Sequence, residues 1–126
     1  MVRPTGLSVT VASGASASAA FSAPGGTQVV SICTPGTLDG TTDNFAFKGW
    51  TGVDDGTGTF ASLYTSGGTL ITVTSTSALW PHAVTLTENT RDSLKGFARL
   101  KLVMMDSTSA DAQAGAREFV IRTARI

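Results

Sequence analysis

Charge is scarce in this chain. Asp, Glu, Lys and Arg make up 14% of its 126 residues, against about 25% in an ordinary soluble domain. Nine basic and nine acidic residues cancel to a formal net charge of zero. That balance gives no electrostatic reason to expect nucleic acid or an anionic membrane as a partner. Cysteine occurs once, at Cys33, which excludes a disulfide framework within the chain. Cys33 lies in an apolar strand-like run and is expected to be a small core residue. Histidine also occurs once, at His82, and one Cys with one distant His does not make a zinc site. No apolar run approaches the roughly 20 residues that span a bilayer. Met1-Val2-Arg3-Pro4 leads into no apolar stretch of the secretory kind, so no signal peptide is visible and synthesis in a reducing host cytoplasm is expected.

What the chain has in abundance is small residues. Its 20 Thr, 13 Ser and 14 Gly account for more than a third of it, beside a hydrophobic fraction of 41%. Such a composition disfavours a helical bundle and favours short strands joined by small-residue turns. Leu7, Val9 and Val11 alternate with Ser8 and Thr10, the period-2 pattern of a half-buried strand. Ser13 to Ala20 is a Ser/Ala stretch too small and polar to anchor a core, and Phe21 ends it as a second short strand. Pro24-Gly25-Gly26 and Pro35-Gly36 bracket a β-branched strand over Val29–Cys33. Phe45–Trp50 alternates again, and Asp54-Asp55-Gly56 marks a loop. Phe60–Tyr64 and Thr69–Thr76, joined by Ser66-Gly67-Gly68, predict a hairpin.

Further strands are expected over Ala83–Leu86, Ala98–Met104 and Glu118–Thr123. Glu88–Lys95 holds at most one helical turn, with Asn89 as its cap, and 106–115 is expected to be a polar loop. The prediction is a single domain over 1–126, all-β, an antiparallel β-sandwich of jelly-roll or Greek-key type with about eight strands. Residues 1–6 are expected to form an extended N-terminal arm. Val29–Cys33, Phe45–Trp50, Ala98–Met104 and Phe119–Thr123 are expected at the centres of the sheets.

Chemistry is thin. His82 follows Trp80-Pro81 in a turn, and no Gly-x-Ser-x-Gly nucleophile pattern occurs. Asp39-Gly40 and Asp54-Asp55-Gly56 lack the regular spacing of a calcium loop and read as turns. The Gly-rich stretch after Trp50 has no lysine and no following helix to make a phosphate loop. No catalytic residue, metal site or cofactor is assigned, and the chain is not read as an enzyme. Trp50 and Trp80 border loops; core burial is the ordinary reading of such residues, and exposure would make them a sugar platform or an interface anchor. The candidate interface set is Arg3, Trp50, Trp80, Arg99, Lys101, Arg122 and Arg125.

The order of these segments carries a resemblance. Leu7-Ser8-Val9-Thr10-Val11, a Ser/Ala stretch and Thr27-Gln28-Val29-Val30-Ser31-Ile32 are followed by Phe45-Ala46-Phe47-Lys48-Gly49-Trp50. Then come Asp55-Gly56-Thr57-Gly58-Thr59-Phe60, the Gly67-Gly68 turn, Leu94-Lys95-Gly96-Phe97-Ala98-Arg99-Leu100-Lys101-Leu102-Val103, Gln113-Ala114-Gly115-Ala116-Arg117 and Glu118-Phe119-Val120-Ile121. This order resembles small jelly-roll virion proteins of tailed bacteriophages and prophages, of the capsid cement or decoration type. The likeness covers nearly the whole chain through strand-and-turn patterns. The family's Asp-Gly-Thr-x-Tyr/Phe pattern is lengthened here by Gly58-Thr59.

The resemblance implies a structural protein on the capsid surface of a virion, with the major capsid protein and further copies of itself as partners, a trimer being one form. It implies no nucleic acid and no membrane partner. The stretch 13–20 and the arm 1–6 are expected to order on a partner. A carbohydrate- or receptor-binding module of a phage tail or fibre is the alternative, resting on Trp50, Trp80 and Asp54.

Overall fold

The computed structural model describes residues 5–39, 41–52, 58–75 and 80–126. Arg3, Asp54 and most of the Asp-Gly loop, all singled out above, lie outside them. The strands are β1 (Thr5–Val11), β2 (Thr27–Cys33), β3 (Asn44–Trp50), β4 (Phe60–Ser62), β5 (Thr72–Thr74), β6 (Ala83–Thr85), β7 (Leu100–Asp106), β8 (Ser109–Ala110) and β9 (Arg117–Arg125). One helix, α1 (Glu88–Leu94), precedes β7. Two antiparallel sheets form, ordered β1-β9-β2-β6 and β4-β3-β7-β8, with β5 also on β3. Three of the segments expected at the centres lie within β2, β3 and β9 and the fourth, Ala98–Met104, overlaps β7; all four strands occupy the interiors of the sheets.

Residues 16–21 complete the second sheet. Ala17 and Phe21 bridge to Val103 and Leu100, and the amide of Ser18 donates to the Leu102 carbonyl at 2.8 Å. Counting this segment as the second strand and β4 with β5 as the fifth, the antiparallel pairs are first with eighth, second with seventh, third with sixth and fourth with fifth. That is one long hairpin rolled over on itself, the jelly-roll wrapping, and the rolling brings β9 against β2 and β7 against β3. The Ser/Ala stretch is therefore ordered within its own chain and is not a free segment. Its small side chains let it lie along β7 largely by main-chain bonds, a pairing that leaves no hydrophobic pattern in the sequence. Thr5 and Gly6 likewise belong to β1, paired with Thr123 and Arg122, so the proposed arm is at most the four residues before them.

Alternation decides the core. Val9 and Val11 of β1, Ile32 of β2, Phe45 and Phe47 of β3, Leu102 and Met104 of β7, and Phe119 and Ile121 of β9 all point between the sheets and are buried. Phe45 and Phe119 meet edge to face across the layers, with ring centroids 5.5 Å apart. Cys33 stands opposite Ala83 and Val120 on the other side of β2 from Ile32 and is only half-buried. It is not the core residue expected, because the strand's phase gives the core position to Ile32.

The expected hairpin also differs. β4 and β5 do not pair with each other; both pair with β3, at Lys48–Trp50 and Asn44–Ala46 respectively. They are two halves of one strand along a common neighbour, and the chain between them loops out. The loop closes through Tyr64 opposite Leu70 and the Thr65–Thr69 hydrogen bond of 2.8 Å. Gly68, at φ +87°, supplies its left-handed turn position. Helix α1 is longer than one turn and is capped by Thr87, not Asn89: the Thr87 hydroxyl accepts from the Thr90 amide. The expected loop 106–115 contains β8, folded back on β7.

Candidate interaction surface

Residues opposite one another in a sheet share a face, so register shows what the outer face of the second sheet presents. Trp50 stands opposite Phe60, and Lys48 stands opposite both Ser62 and Lys101. The Arg99 carbonyl accepts from the Trp50 amide at 3.0 Å, which brings the Arg99 side chain into reach. Its guanidinium carbon sits 4.0 Å from the Trp50 ring centroid. The Trp50 and Phe60 centroids are 5.3 Å apart, and the Lys101 ammonium lies 4.6 Å from the Phe60 centroid. Cations over aromatic faces are attracted by the ring quadrupole, by ~0.5–1 kcal/mol at exposed sites. The result is a ladder across three strands in which two neighbouring rings, Trp50 and Phe60, lie between two cations, Arg99 and Lys101.

Two glycines set the ladder's position. A Cβ on Gly58 would fall 2.5 Å from the Gly52 Cα and 3.0 Å from the Trp50 Cζ2. The loop after β3 therefore returns close beneath the tryptophan ring, pinned by Thr51 and Thr59, whose amide and carbonyl meet at 2.9 Å. Gly58-Thr59 makes this close return. On the core side, Gly49 receives the Phe97 ring.

Along the same face, Ala46, Val103 and Met105 form a second buried apolar cluster, with Ala17 and Leu70 against it. It floors a groove of about 230 Å³ walled by Tyr64 and Leu70 on one side and by Thr108 and Ala110 on the other, with Lys48 also lining it. Tyr64, on the looped-out segment, is 58% exposed. The face thus joins a trough with an apolar floor and largely polar walls to a cationic, aromatic end. Lys48 and Lys101 are directly opposed across β3 and β7, and like charges at opposed positions destabilise a strand pair. Among the described residues, the ion pairs are Lys95–Asp92 and Arg117–Asp39, and neither involves these lysines.

Of the candidate interface residues, Trp50, Arg99 and Lys101 come together here. Trp80 is elsewhere: it packs against the main core, and its indole N–H donates to Ser75 Oγ at 2.9 Å. Arg122 and Arg125 belong to β9 in the first sheet, both exposed, with Arg122 beside Gly6. His82 is held against Thr34, whose hydroxyl accepts from the His82 amide at 2.9 Å. Among the described residues there is no cluster of three or more metal-ligating side chains.

Sequence reasoning missed a polar clasp at one end of the sandwich. The fully buried Gln113 donates to Thr42 Oγ1 at 2.9 Å and to the Asp111 carbonyl, and it accepts from the Asp39 amide at 3.0 Å. Asp111 accepts from the hydroxyls of Thr41 and Thr42 at 2.8 Å, and Asp39 pairs with Arg117 at 2.8 Å. The clasp ties the entry to β3 to the entry to β9, so Asp39 serves structure. The only signal in the sequence was an isolated Gln in a stretch of small residues. The chain matches no protein-family model, no curated protein and no solved structure.

Proposed function

We propose that this chain is a structural virion protein, a capsid decoration or cement subunit that seats on the outside of a phage head and stabilises it. The observation that carries this reading is the outer face of the second sheet. Trp50, Phe60, Arg99 and Lys101 are held there in mutual contact beside a trough with an apolar floor. Tryptophan, tyrosine and arginine dominate protein–protein hot spots because they bury large rigid area with polar ends. The opposed lysines cost fold stability and fit a partner that supplies carboxylates. The resemblance to phage decoration proteins supplies the class of that partner, the major capsid protein. A sugar platform needs an open tryptophan face, whereas Arg99 lies over Trp50 and Phe60 packs beside it.

Quantitative mass spectrometry of purified particles of the phage or prophage encoding the chain tests the reading. The expected result is a copy number in fixed proportion to the major capsid protein. Absence from the particle, or a few copies per particle as in a tail component, overturns it.

A further inference from the structure

The first sheet ends in an unblunted edge. β1 pairs with β9 in unbroken register from Thr5 to Val11. Its sequence, Thr5-Gly6-Leu7-Ser8-Val9-Thr10-Val11, has no lysine, proline or other charged residue, the usual devices against edge pairing. Which of its groups face outward follows from one bond. The Thr10 carbonyl accepts from the Ala19 amide at 3.0 Å, so Thr10 points its main-chain groups away from β9. Alternation then directs the N–H and C=O of Gly6 and Ser8 outward, while Leu7 and Val9 bond to β9. Among the described residues no hydrogen bond engages those outward groups, and both residues are exposed.

We propose that β1 pairs edge to edge with β1 of a second copy across a two-fold axis at Leu7, joining two four-stranded sheets into one of eight. The edge is complementary to itself. Antiparallel pairing centred on Leu7 sets Gly6 of each copy opposite Ser8 of the other, so four outward N–H and C=O pairs close into hydrogen bonds. Leu7 then faces Leu7 at the close, non-hydrogen-bonded spacing. Leu7 is only half-buried, packed at the margin of the core, and its counterpart completes that apolar cover. On the outer face the meeting side chains are a hydrogen and a small hydroxyl, and no charge on β1 opposes approach. A foreign strand would satisfy the same hydrogen bonds but would cover Leu7 only by bringing its own apolar residue to that one position.

Light scattering on the purified chain across a concentration series tests this. The expected mass at high concentration is twice 12.9 kDa. Ser8→Pro removes an outward N–H without touching the bonds to β9, and Ser8→Lys places charge at the junction. Each is expected to weaken dimerisation by at least about tenfold with an unchanged circular dichroism spectrum. In a Cys33→Ala background, Leu7→Cys is expected to cross-link on mild oxidation. Ser8→Cys is expected not to, because its two copies sit out of register, beyond the ~7 Å Cα limit of a disulfide. A wild-type chain that stays monomeric at millimolar concentration overturns the proposal, as does a dimer that survives both Ser8 substitutions. Gly6 and Ser8 amides that gain exchange protection only on the virion partner would assign the edge to that partner and equally overturn it.

Discussion

Gly49 lies under the Phe97 ring at the point where β3 delivers Trp50 to the outer face, and replacing it by alanine has a cost that can be worked out. A Cβ there would stand 2.4, 2.6 and 2.8 Å from three atoms of the ring. Carbon atoms pack comfortably at about 3.5–4.0 Å, so the ring must retreat by roughly 1 Å or β3 must shift. Overpacking of this kind costs ~1–3 kcal/mol. Against it stands the reduced freedom of the unfolded chain, ~0.4–1 kcal/mol in favour of alanine where the backbone suits it; Gly49 is not among the positive-φ glycines. The expected net loss is about 1–2 kcal/mol. With Phe97→Ala already in place the obstruction is gone, and Gly49→Ala becomes neutral or stabilising by up to ~1 kcal/mol. Urea unfolding of the four proteins of this cycle, followed by tryptophan fluorescence, should give a coupling of about 2 kcal/mol. A coupling below ~0.5 kcal/mol, the ordinary scatter of independent sites, would refute the packing argument.

The opposed lysines separate stability from binding. Lys48→Glu turns a repulsive cross-strand pair with Lys101 into an attractive one, so the urea midpoint should rise by the equivalent of ~0.2–1 kcal/mol. On the proposed decoration role, binding to virion particles should fall and lose part of its salt dependence. Gln113→Ala removes partners from Thr42, the Asp39 amide and the Asp111 carbonyl at once. Of these only Thr42 is buried, while the Asp39 and Asp111 groups are half-buried and can take up water, so the expected loss is about 2–4 kcal/mol, at ~1–3 kcal/mol for a buried group left unsatisfied. It is read from the urea midpoint, with faster hydrogen exchange at Asp39.

Strands with an apolar rhythm were legible in the sequence. β1, β3, β7 and β9 each show alternation, and the core residues Val9, Phe45, Leu102 and Ile121 follow from it. What stayed hidden is what main-chain bonding decides. Residues 16–21 carry no alternation because the segment is held by its amides and carbonyls and by the Ser18 hydroxyl, which accepts from Leu102. The hairpin expectation found the turn at Gly67-Gly68 and the pairing beside it, Tyr64 with Leu70, but not the departure of both outer flanks to β3, which nothing local reveals. The site was half legible. Trp50, Arg99 and Lys101 stand out as residue types, but their convergence with Phe60 depends on the β3–β4 and β3–β7 registers. The same composition argument chose Arg122 and Arg125, which the topology sends to the other sheet.

The interrupted strand on β3 has a consequence for how this protein tolerates change. The amides of Leu63 and Ile71 bond to Phe47 and Leu63 at 3.2 and 2.9 Å, so the root of the excursion is fastened to the sheet whatever lies beyond it. Lengthening it past Ser66-Gly67-Gly68 costs only closure entropy, about 0.6 kcal/mol per doubling of the loop, and displaces no core side chain. The tip is an insertion port: sequence added there is displayed at the rim of the trough while the roll beneath keeps its register. Variation can accumulate there without being tested against the fold.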